Sequence, residues 1–217
     1  MIRVFDEVAG RYIRPVEGQE RYGYGREAHE DFYDMKDMPA ESRRGDVLAF
    51  YDFETGEVFT PFPKEKDVLF GDPVYHEGLF YFLRGDFAAG TITLQKYAPG
   101  KQPEQVTAFA ASDVDLYNLR LLGEGVNVVS ENDERLVCYW PEAFTVPLGA
   151  TETAVMIDRD RVWTEAWVEE GWDEEKNCPG PDYTFYNRVI ARDFSGKTLH
   201  SRVGSLNKAP DGTWWIS

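Results

Sequence analysis

Short apolar runs, each closed by a turn of Gly, Pro, Asp or Asn, recur along the whole chain. Runs of this kind, rich in Val, Ile, Thr, Tyr, Phe and Trp, predict β-strands joined by hairpins. Four hairpins have the clearest turns, and their strands cover residues 46–52 and 57–62, 91–97 and 105–109, 135–140 and 144–148, and 187–193 and 197–203. Helical spacing of apolar residues is sparse, and the best candidate is a helix of one or two turns within residues 28–38, ending before Pro39.

A second hairpin precedes each of these four. Its strands are predicted at residues 2–5 and 11–14, 73–76 and 79–83, 116–122 and 126–129, and 153–157 and 161–167. Each unit then holds four strands, and the units recur at a spacing of roughly 40 to 50 residues, which is the size of a propeller blade. Because a single four-stranded sheet leaves an apolar face uncovered, such units are expected to shield one another.

The order of strands, the Gly-centred turns and the ending Ala-Pro-Asp-Gly-Thr-Trp-Trp at residues 209–215 resemble β-propeller repeats. The resemblance covers most of the chain outside residues 17–44, without the His and Trp-Asp signatures of WD40 or the double glycines of kelch repeats. It implies an all-β fold, a small β-propeller of four blades with or without a partial fifth, and the alternative is a β-sandwich or open barrel. The units of this single repeat domain are predicted at residues 1–63, 72–110, 114–149 and 152–204, with residues 205–217 as a closing tail.

Two units carry long insertions, at residues 16–45 and 169–183. Both are predicted to lie between the second and third strands of their units and therefore to emerge on the same face. Long loops on one face of a rigid scaffold are where binding usually lies, and the propeller resemblance implies that this face hosts ligands. The predicted ligand-binding residues are Tyr22, Tyr24, Arg26, Tyr33, Trp172 and Asp173. In the alternative, the two loops pack on each other and only seal the ring.

The tryptophans have two competing roles. Trp163 and Trp167 lie four positions apart on one predicted strand and therefore face the same side, whereas Trp214 and Trp215 face opposite sides. Indole rings can stack on sugar rings, but most of these side chains are expected in the core. Trp172, in a predicted loop, is the tryptophan expected to be exposed.

Motifs for catalysis or metal binding are sparse in the sequence. His29, His76 and His200 fall in different units, which disfavours a zinc site or a histidine-dependent nucleophile. The sequence has no Gly-x-Ser-x-Gly elbow, and no predicted strand leads into its Gly-x-Gly pair at residues 23–25. The acidic run at residues 169–175 fits no defined calcium loop. We therefore expect neither a metal nor a cofactor.

Charge limits the range of partners. The chain has 217 residues with 39 acidic against 23 basic side chains, a formal net charge of −16. A field of this sign repels phosphate backbones and anionic lipid, so neither nucleic acid nor a membrane is expected as a partner. No apolar run spans a bilayer and no secretory signal is present, so a cytoplasmic location is expected if the sequence is complete. Cys138 and Cys178 are expected to be free thiols.

Together these features favour a non-enzymatic binding or scaffold module that uses its two insertions to hold a protein, a small molecule or a glycan. A carbohydrate-active enzyme is the alternative, because a chain with 39 acidic residues offers many carboxylate pairs. A subunit whose exposed edge or acidic face serves only self-assembly is a third hypothesis.

Overall fold

The computed structural model describes residues 2–122, 124–209 and 212–217. The fold is all-β, as predicted, with 51% of residues in strands and 3% in helix, and none of the antiparallel sheets formed by the described residues is closed. The chain divides into two compact units, Met1–Leu121 with Val128–Ser130 (unit 1) and Leu122–Asn127 with Glu131–Ser217 (unit 2). The turn predicted at Gly123 and part of the predicted ending, Pro210 and Asp211, lie outside the described residues.

The first sheet belongs to unit 1 and has the order β1-β2-β3-β4. Its strands are β1 (Arg14–Pro15), β2 (Tyr22–Arg26), β3 (Leu48–Asp52) and β4 (Val58–Phe59). The β3–β4 pairing confirms the predicted hairpin, but the strand predicted at residues 2–5 is wrong. Instead β2 forms inside the segment predicted as an insertion. Gly23 makes this possible, because a Cβ there would approach Cγ2 of Ile13 to 2.6 Å, and only glycine lets the chain ahead of β1 pass so close.

The second sheet also belongs to unit 1 and has the order β5-β7-β8-β9, with β6 paired to β7. Its strands are β5 (Val68–Phe70), β6 (Val74–His76), β7 (Leu79–Asp86), β8 (Thr91–Tyr97) and β9 (Glu104–Ala110). The β6–β7 and β8–β9 pairings confirm both predicted hairpins. Phe50 of the first sheet packs on Phe80 and Phe82 of the second with ring centroids 4.7 and 6.2 Å apart, and all three side chains are fully buried. This aromatic cluster is the core of unit 1.

The predicted helix is confirmed as α1 (Phe32–Asp37). Asp31 caps it, because the Asp31 carboxylate accepts a hydrogen bond from the Asp34 N–H while the Asp34 carboxylate accepts one from the Asp31 N–H. Phe32 and Met35 are buried and anchor the helix to unit 1. Within the described ranges no helix has the length and apolar character to cross a bilayer.

The third sheet has the order β10-β11-β12-β13, and the fourth, in unit 2, has the order β14-β15-β16-β17. A separate hairpin, β18–β19, follows at the C-terminal end of the described chain. The hairpins predicted within residues 135–148, 153–167 and 187–203 are confirmed. The strands are β10 (Arg120–Leu122), β11 (Asn127–Asn132), β12 (Arg135–Trp140), β13 (Phe144–Pro147), β14 (Glu152–Asp158), β15 (Arg161–Asp173), β16 (Cys178–Asp193), β17 (Thr198–Val203), β18 (Leu206–Lys208) and β19 (Trp214–Ile216).

The prediction of a loop at residues 169–183 is wrong. This segment continues β15 as far as Asp173 and begins β16 at Cys178, so the two central strands of the fourth sheet extend as a long hairpin. Trp172 therefore lies on a strand and not in a loop. Aromatic and β-branched residues on both arms favour this pairing, because cross-strand side-chain contacts stabilise a pair of strands even where no second layer covers them.

Candidate functional site

The extended β15–β16 hairpin of unit 2 presents its side chains on two distinct faces. In the antiparallel register Trp167 pairs with Asn187, and Glu169 pairs with Phe185. Paired residues share a face and alternate residues along a strand return to it, so Trp167, Glu169, Phe185 and Tyr183 all lie on one face. Trp163 lies on the same face, four residues before Trp167, as the sequence predicts.

Gly171 redirects the chain near the end of this hairpin. The pairing shifts register between Glu170 and Trp172, and Gly171 takes a φ of +77°, in the left-handed region that favours glycine. A Cβ at Gly171 would lie 2.7 Å from the carbonyl oxygen of Asp182, so no other residue fits without movement of the backbone. Bulges of this kind re-aim side chains, and Trp172 beyond the bulge contacts Tyr183, on the face described above.

Four aromatic side chains form a continuous row on this face. Ring centroids are 6.3 Å apart for Trp167 and Phe185, 6.4 Å for Phe185 and Tyr183, and 5.9 Å for Tyr183 and Trp172. We call these four residues the aromatic row. Trp167 is 46% exposed and Phe185 is 63% exposed, while Trp172 and Tyr183 are half-buried. A contiguous exposed aromatic surface on a folded chain commonly marks an interaction site.

Polar contacts hold the hairpin on both faces. The Tyr183 hydroxyl donates to the Glu169 carboxylate, and this hydrogen bond raises the pKa of the Tyr183 phenol. On the opposite face the Tyr186 hydroxyl donates to Glu170 at 2.7 Å and accepts from the Arg188 guanidinium at 2.7 Å. These contacts favour one geometry of the aromatic row before any partner arrives.

The aromatic row lies in an acidic setting. Residues 167–187 contain six carboxylates and one basic side chain, Lys176. Lys176 pairs with Asp173 at 2.7 Å, and this hydrogen bond lowers the pKa of the Asp173 carboxyl. The hairpin therefore combines exposed rings with a net negative field, a combination that complements apolar groups flanked by positive charge.

The other predicted site residues lie in unit 1, on β2 and α1. Tyr22, Tyr24 and Arg26 lie on one face of strand β2, whereas the sequence predicts them in a loop. Tyr24 is buried, and Tyr22 packs edge-on against Phe80 with ring centroids 5.5 Å apart. Tyr33 is 42% exposed on α1. The structure thus brings Tyr22, Tyr24 and Arg26 onto one strand and Trp172 with Asp173 onto another, in the other unit.

Arg26 is committed to ion pairs. Its Nε donates to the Asp46 carboxylate at 2.9 Å and its Nη1 lies 3.3 Å from that of Asp72. Asp46 is fully buried and also accepts hydrogen bonds from the N–H groups of Glu27 and Ala28. A carboxylate with this many donors is satisfied within the fold, so the pair stabilises the connection after β2.

Two other buried carboxylates, those of Asp52 and Glu152, are also paired with arginine. Arg21 binds Asp52 at 2.6 Å and lowers the pKa of that carboxyl to about 2. Glu152 accepts two hydrogen bonds of 2.7 Å from Arg192. Among the described residues no group of three or more His, Cys, Asp or Glu side chains is arranged to hold a metal ion. The β15–β16 hairpin itself presents aromatic rings and carboxylates.

Sequence reasoning finds Trp172 and Asp173 but misses Trp167, Tyr183 and Phe185. The sequence pattern that could have indicated them is an aromatic residue at every second position, at 183 and 185. Trp163 and Trp167, four positions apart on the preceding strand, lie on the same strand face. No protein-family model, curated protein or solved structure matches the chain.

Proposed function

We propose that this protein is a non-enzymatic binding module that holds a basic partner protein on the aromatic row of the β15–β16 hairpin. The observation that carries the proposal is the continuous run of four contacting rings, two of them widely exposed, on a strand pair rich in carboxylates. The proposal keeps the predicted class of function and moves its site from two loops to one hairpin.

Aromatic rings give this surface its binding energy. Tyr and Trp bury a large area at low cost in side-chain entropy, and they dominate the energetics of protein interfaces. Trp167 and Phe185 are the most exposed members of the row, so they have the most apolar area to lose from water on binding. The hydrogen bond from Tyr183 to Glu169 reduces the ordering that the partner has to induce.

Charge selects the partner. The six carboxylates of residues 167–187 and the net charge of −16 attract a basic surface and accelerate encounter with it. They repel acidic proteins and phosphate backbones. A partner of matching chemistry presents Lys or Arg around one or two apolar side chains.

The direct test is a selection of peptides from a displayed library on the folded protein. We expect enriched peptides to carry apolar residues flanked by Lys or Arg, and to bind the Trp167→Ser/Phe185→Ser double variant at least about 30-fold more weakly, since interface hot spots contribute about 2 kcal/mol or more. The control is Tyr12→Ser, which removes a still more exposed ring (82% exposed) from unit 1. Enrichment of acidic peptides, or equal binding to both variants, would contradict the proposal.

A carbohydrate-active enzyme remains the rival class of function. A general acid in such an enzyme needs a raised pKa, whereas the Lys176 ammonium lowers the pKa of Asp173. Turnover of chromogenic glycosides that is lost in Asp173→Asn would favour the enzyme over the binding module.

The finer architecture is also a proposal. We propose that the four sheets are the blades of a small β-propeller, with a β-sandwich or open barrel as the alternative. Support comes from the strand order, which runs up and down through four strands in the first, third and fourth sheets and through β5-β7-β8-β9 in the second. A crystal structure with the sheets radial to one axis is the expected result, and two stacked sheets would overturn it.

A further inference from the structure

The outer strand of the fourth sheet, β17, has a free edge. Within the described chain it pairs with β16 on one side only and is the last strand in the order β14-β15-β16-β17. All six residues of Thr198–Val203 are exposed, and among the described strands of more than two residues β17 alone has this property. A free edge presents unpaired backbone groups to which another strand can be added.

The hydrogen-bond pattern shows which backbone groups of β17 point outwards. The Gly204 N–H donates to the Asn187 carbonyl at 2.9 Å, and the preceding residue, Val203, continues the pairing with β16. Hydrogen-bonded and non-hydrogen-bonded pairs alternate along an antiparallel ladder, so the N–H and C=O groups of Val203 and Ser201 point away from β16. No other described residue uses these groups. They can therefore bond to an added strand.

This edge is basic, although the chain as a whole is acidic with a net charge of −16. Residues 194–209 contain no carboxylate, and their side chains that carry or can gain positive charge are Lys197, His200, Arg202 and Lys208. His200 and Arg202 share one face of β17, because alternate residues of a strand point to the same side. Neither side chain makes a hydrogen bond or an ion pair with another described residue.

We propose that an extended acidic segment of another protein adds to the β17 edge as a fifth strand of the sheet. In strand addition, backbone hydrogen bonds supply affinity and alternate side chains supply specificity. An Asp or Glu opposite Arg202 would form a cross-strand pair of opposite charge, and a β-branched residue opposite Val203, which is 57% exposed, would form an apolar one. The matching segment therefore alternates acidic and β-branched residues.

A second copy of this chain is a poorer occupant of the same edge. If two copies paired through β17, neither would bring a carboxylate to Arg202, because residues 194–209 contain none. Basic side chains on an edge strand oppose pairing of the strand with itself. The net charge of −16 opposes the approach of an acidic segment, but repulsion between exposed charges is screened beyond about 8 Å at physiological salt, whereas the pairs at β17 are closer than that.

The β17 edge and the aromatic row take partners of opposite charge. The aromatic row occupies positions 167, 172, 183 and 185, outside the segment 188–192 with which β17 pairs. A basic peptide selected on the aromatic row is therefore expected to bind variants of the β17 edge normally. The acidic segment is likewise expected to bind the Trp167→Ser/Phe185→Ser variant, so either binding site can fail without the other.

The probe is the synthetic peptide Ser-Glu-Val-Glu-Val-Glu-Ser, acetylated and amidated at its ends and titrated into the whole isotope-labelled protein. We expect it to shift the amide signals of residues 199–204 and not those of residues 167–173. Replacement of every Glu in the peptide by Lys is expected to abolish the shifts. Methylation of alternate backbone nitrogens, made in both phases, is expected to weaken binding at least about tenfold in the phase that faces β17, since backbone hydrogen bonds are lost.

Variants of the protein test the same edge. Ser201→Pro removes an outward N–H at a position where an edge strand accepts proline, and we expect it to weaken the peptide about fivefold, whereas Ser201→Ala keeps the N–H and should bind normally. Arg202→Glu should also weaken the peptide at least about fivefold, because an opposite-charge pair becomes a like-charge pair. Its control, Lys101→Glu, makes the same change of charge at an exposed position of unit 1 and should leave binding unchanged.

Circular dichroism establishes that each variant is folded. Absence of shifts at residues 199–204 with up to about 1 mM acidic peptide would overturn the proposal. Equal binding of the two methylated peptides would also overturn it, because the contact would then depend on charge and not on strand pairing. A dimer of the peptide-free protein in light scattering, with slow amide exchange at Ser201 and Val203, would overturn it in favour of a second copy.

Discussion

At the scale of single residues, arginine holds the buried carboxylates, and Glu152 is the clearest case. Its side chain is 2% exposed, and it accepts two hydrogen bonds from Arg192 and one from Thr164. We expect Glu152→Gln to lower the free energy of unfolding by about 3 kcal/mol, because it leaves the Arg192 guanidinium without its charge partner. Urea unfolding measures this loss, with the exposed Glu174→Gln as a control expected to change stability by less than about 0.5 kcal/mol. Equal stability of the two variants would contradict this role of Glu152.

The same pair gives a dependence of stability on pH. Burial opposes ionisation of Glu152, but hydrogen bonds from Arg192, Thr164 and the Gly149 N–H outweigh it and lower the pKa of Glu152 below its ordinary 4.5. The unfolded chain therefore binds a proton before the folded protein does, and the stabilisation is present above that value and is lost as the pH falls below it. We expect the stability gap between the wild type and Glu152→Gln to be constant from about pH 7 to 6 and to narrow towards about pH 3. A gap independent of pH would contradict this assignment.

The two thiols should differ in reactivity. Both cysteines are free, Cys138 is buried, and burial raises the pKa of the Cys138 thiol to about 11. Only the thiolate attacks a disulfide reagent, so one thiol per chain should react rapidly with DTNB near about pH 8 and Cys178→Ser should abolish that reaction. Rapid reaction of two thiols in the folded protein would contradict the position of Cys138 in β12.

At the scale of elements, Gly171 sets the geometry of the hairpin. Its φ of +77° and the 2.7 Å approach to the Asp182 carbonyl both oppose a side chain. We expect Gly171→Ala to displace Trp172 from the aromatic row, to accelerate amide exchange at residues 169–184 and to weaken the selected peptide. Global stability should change little, since this end of the hairpin lies outside the buried core. The control is Gly90→Ala, where φ is also positive (+67°) but nothing lies within 4 Å of the new Cβ, so this variant has the backbone strain without the clash. If amide exchange around residue 90 in the control accelerates as much as exchange at residues 169–184 in Gly171→Ala, the close approach to Asp182 has no role.

Most hairpins of this fold are predictable from the sequence, because turn residues and alternating apolar positions act locally. The β3–β4 and β8–β9 pairs follow directly from the Gly56 and Gly100 turns. Strand β2 is missed, because its residues are predicted as part of the insertion at residues 16–45, and Gly23 is explained only by the close approach of Ile13. That close approach depends on a neighbouring segment and cannot be read from local pattern.

The candidate surface is predictable only in part. Trp172 and Asp173 follow from the sequence, but a segment with so many carboxylates reads as a solvated loop. Pairing of Glu169 with Phe185 and Trp167 with Asn187 places acidic and aromatic residues on one exposed strand face. Whether these acidic and aromatic side chains lie side by side depends on the register of β15 and β16. A single sequence specifies the register of a strand pair weakly where neither face of the pair is buried.

At the scale of the whole molecule, the net charge of −16 and the acidic hairpin act together. Exposed charges are screened beyond about 10 Å at 0.1 M salt, so the association rate of a basic partner should fall as salt is added while its dissociation rate changes less. Stopped-flow association of the selected peptide at several ionic strengths measures both rates. An association rate independent of salt would contradict electrostatic selection of the partner.

We propose the aromatic row of the β15–β16 hairpin as the surface that binds the partner. The most direct measurement is a map of amide chemical-shift changes in the isotope-labelled protein on titration with the selected basic peptide. If the aromatic row binds the peptide, we expect the largest changes at residues 167–173 and 183–187 and their disappearance in Trp167→Ser/Phe185→Ser. Changes centred instead on β2 and α1 of unit 1, with none on the hairpin, would contradict the proposal.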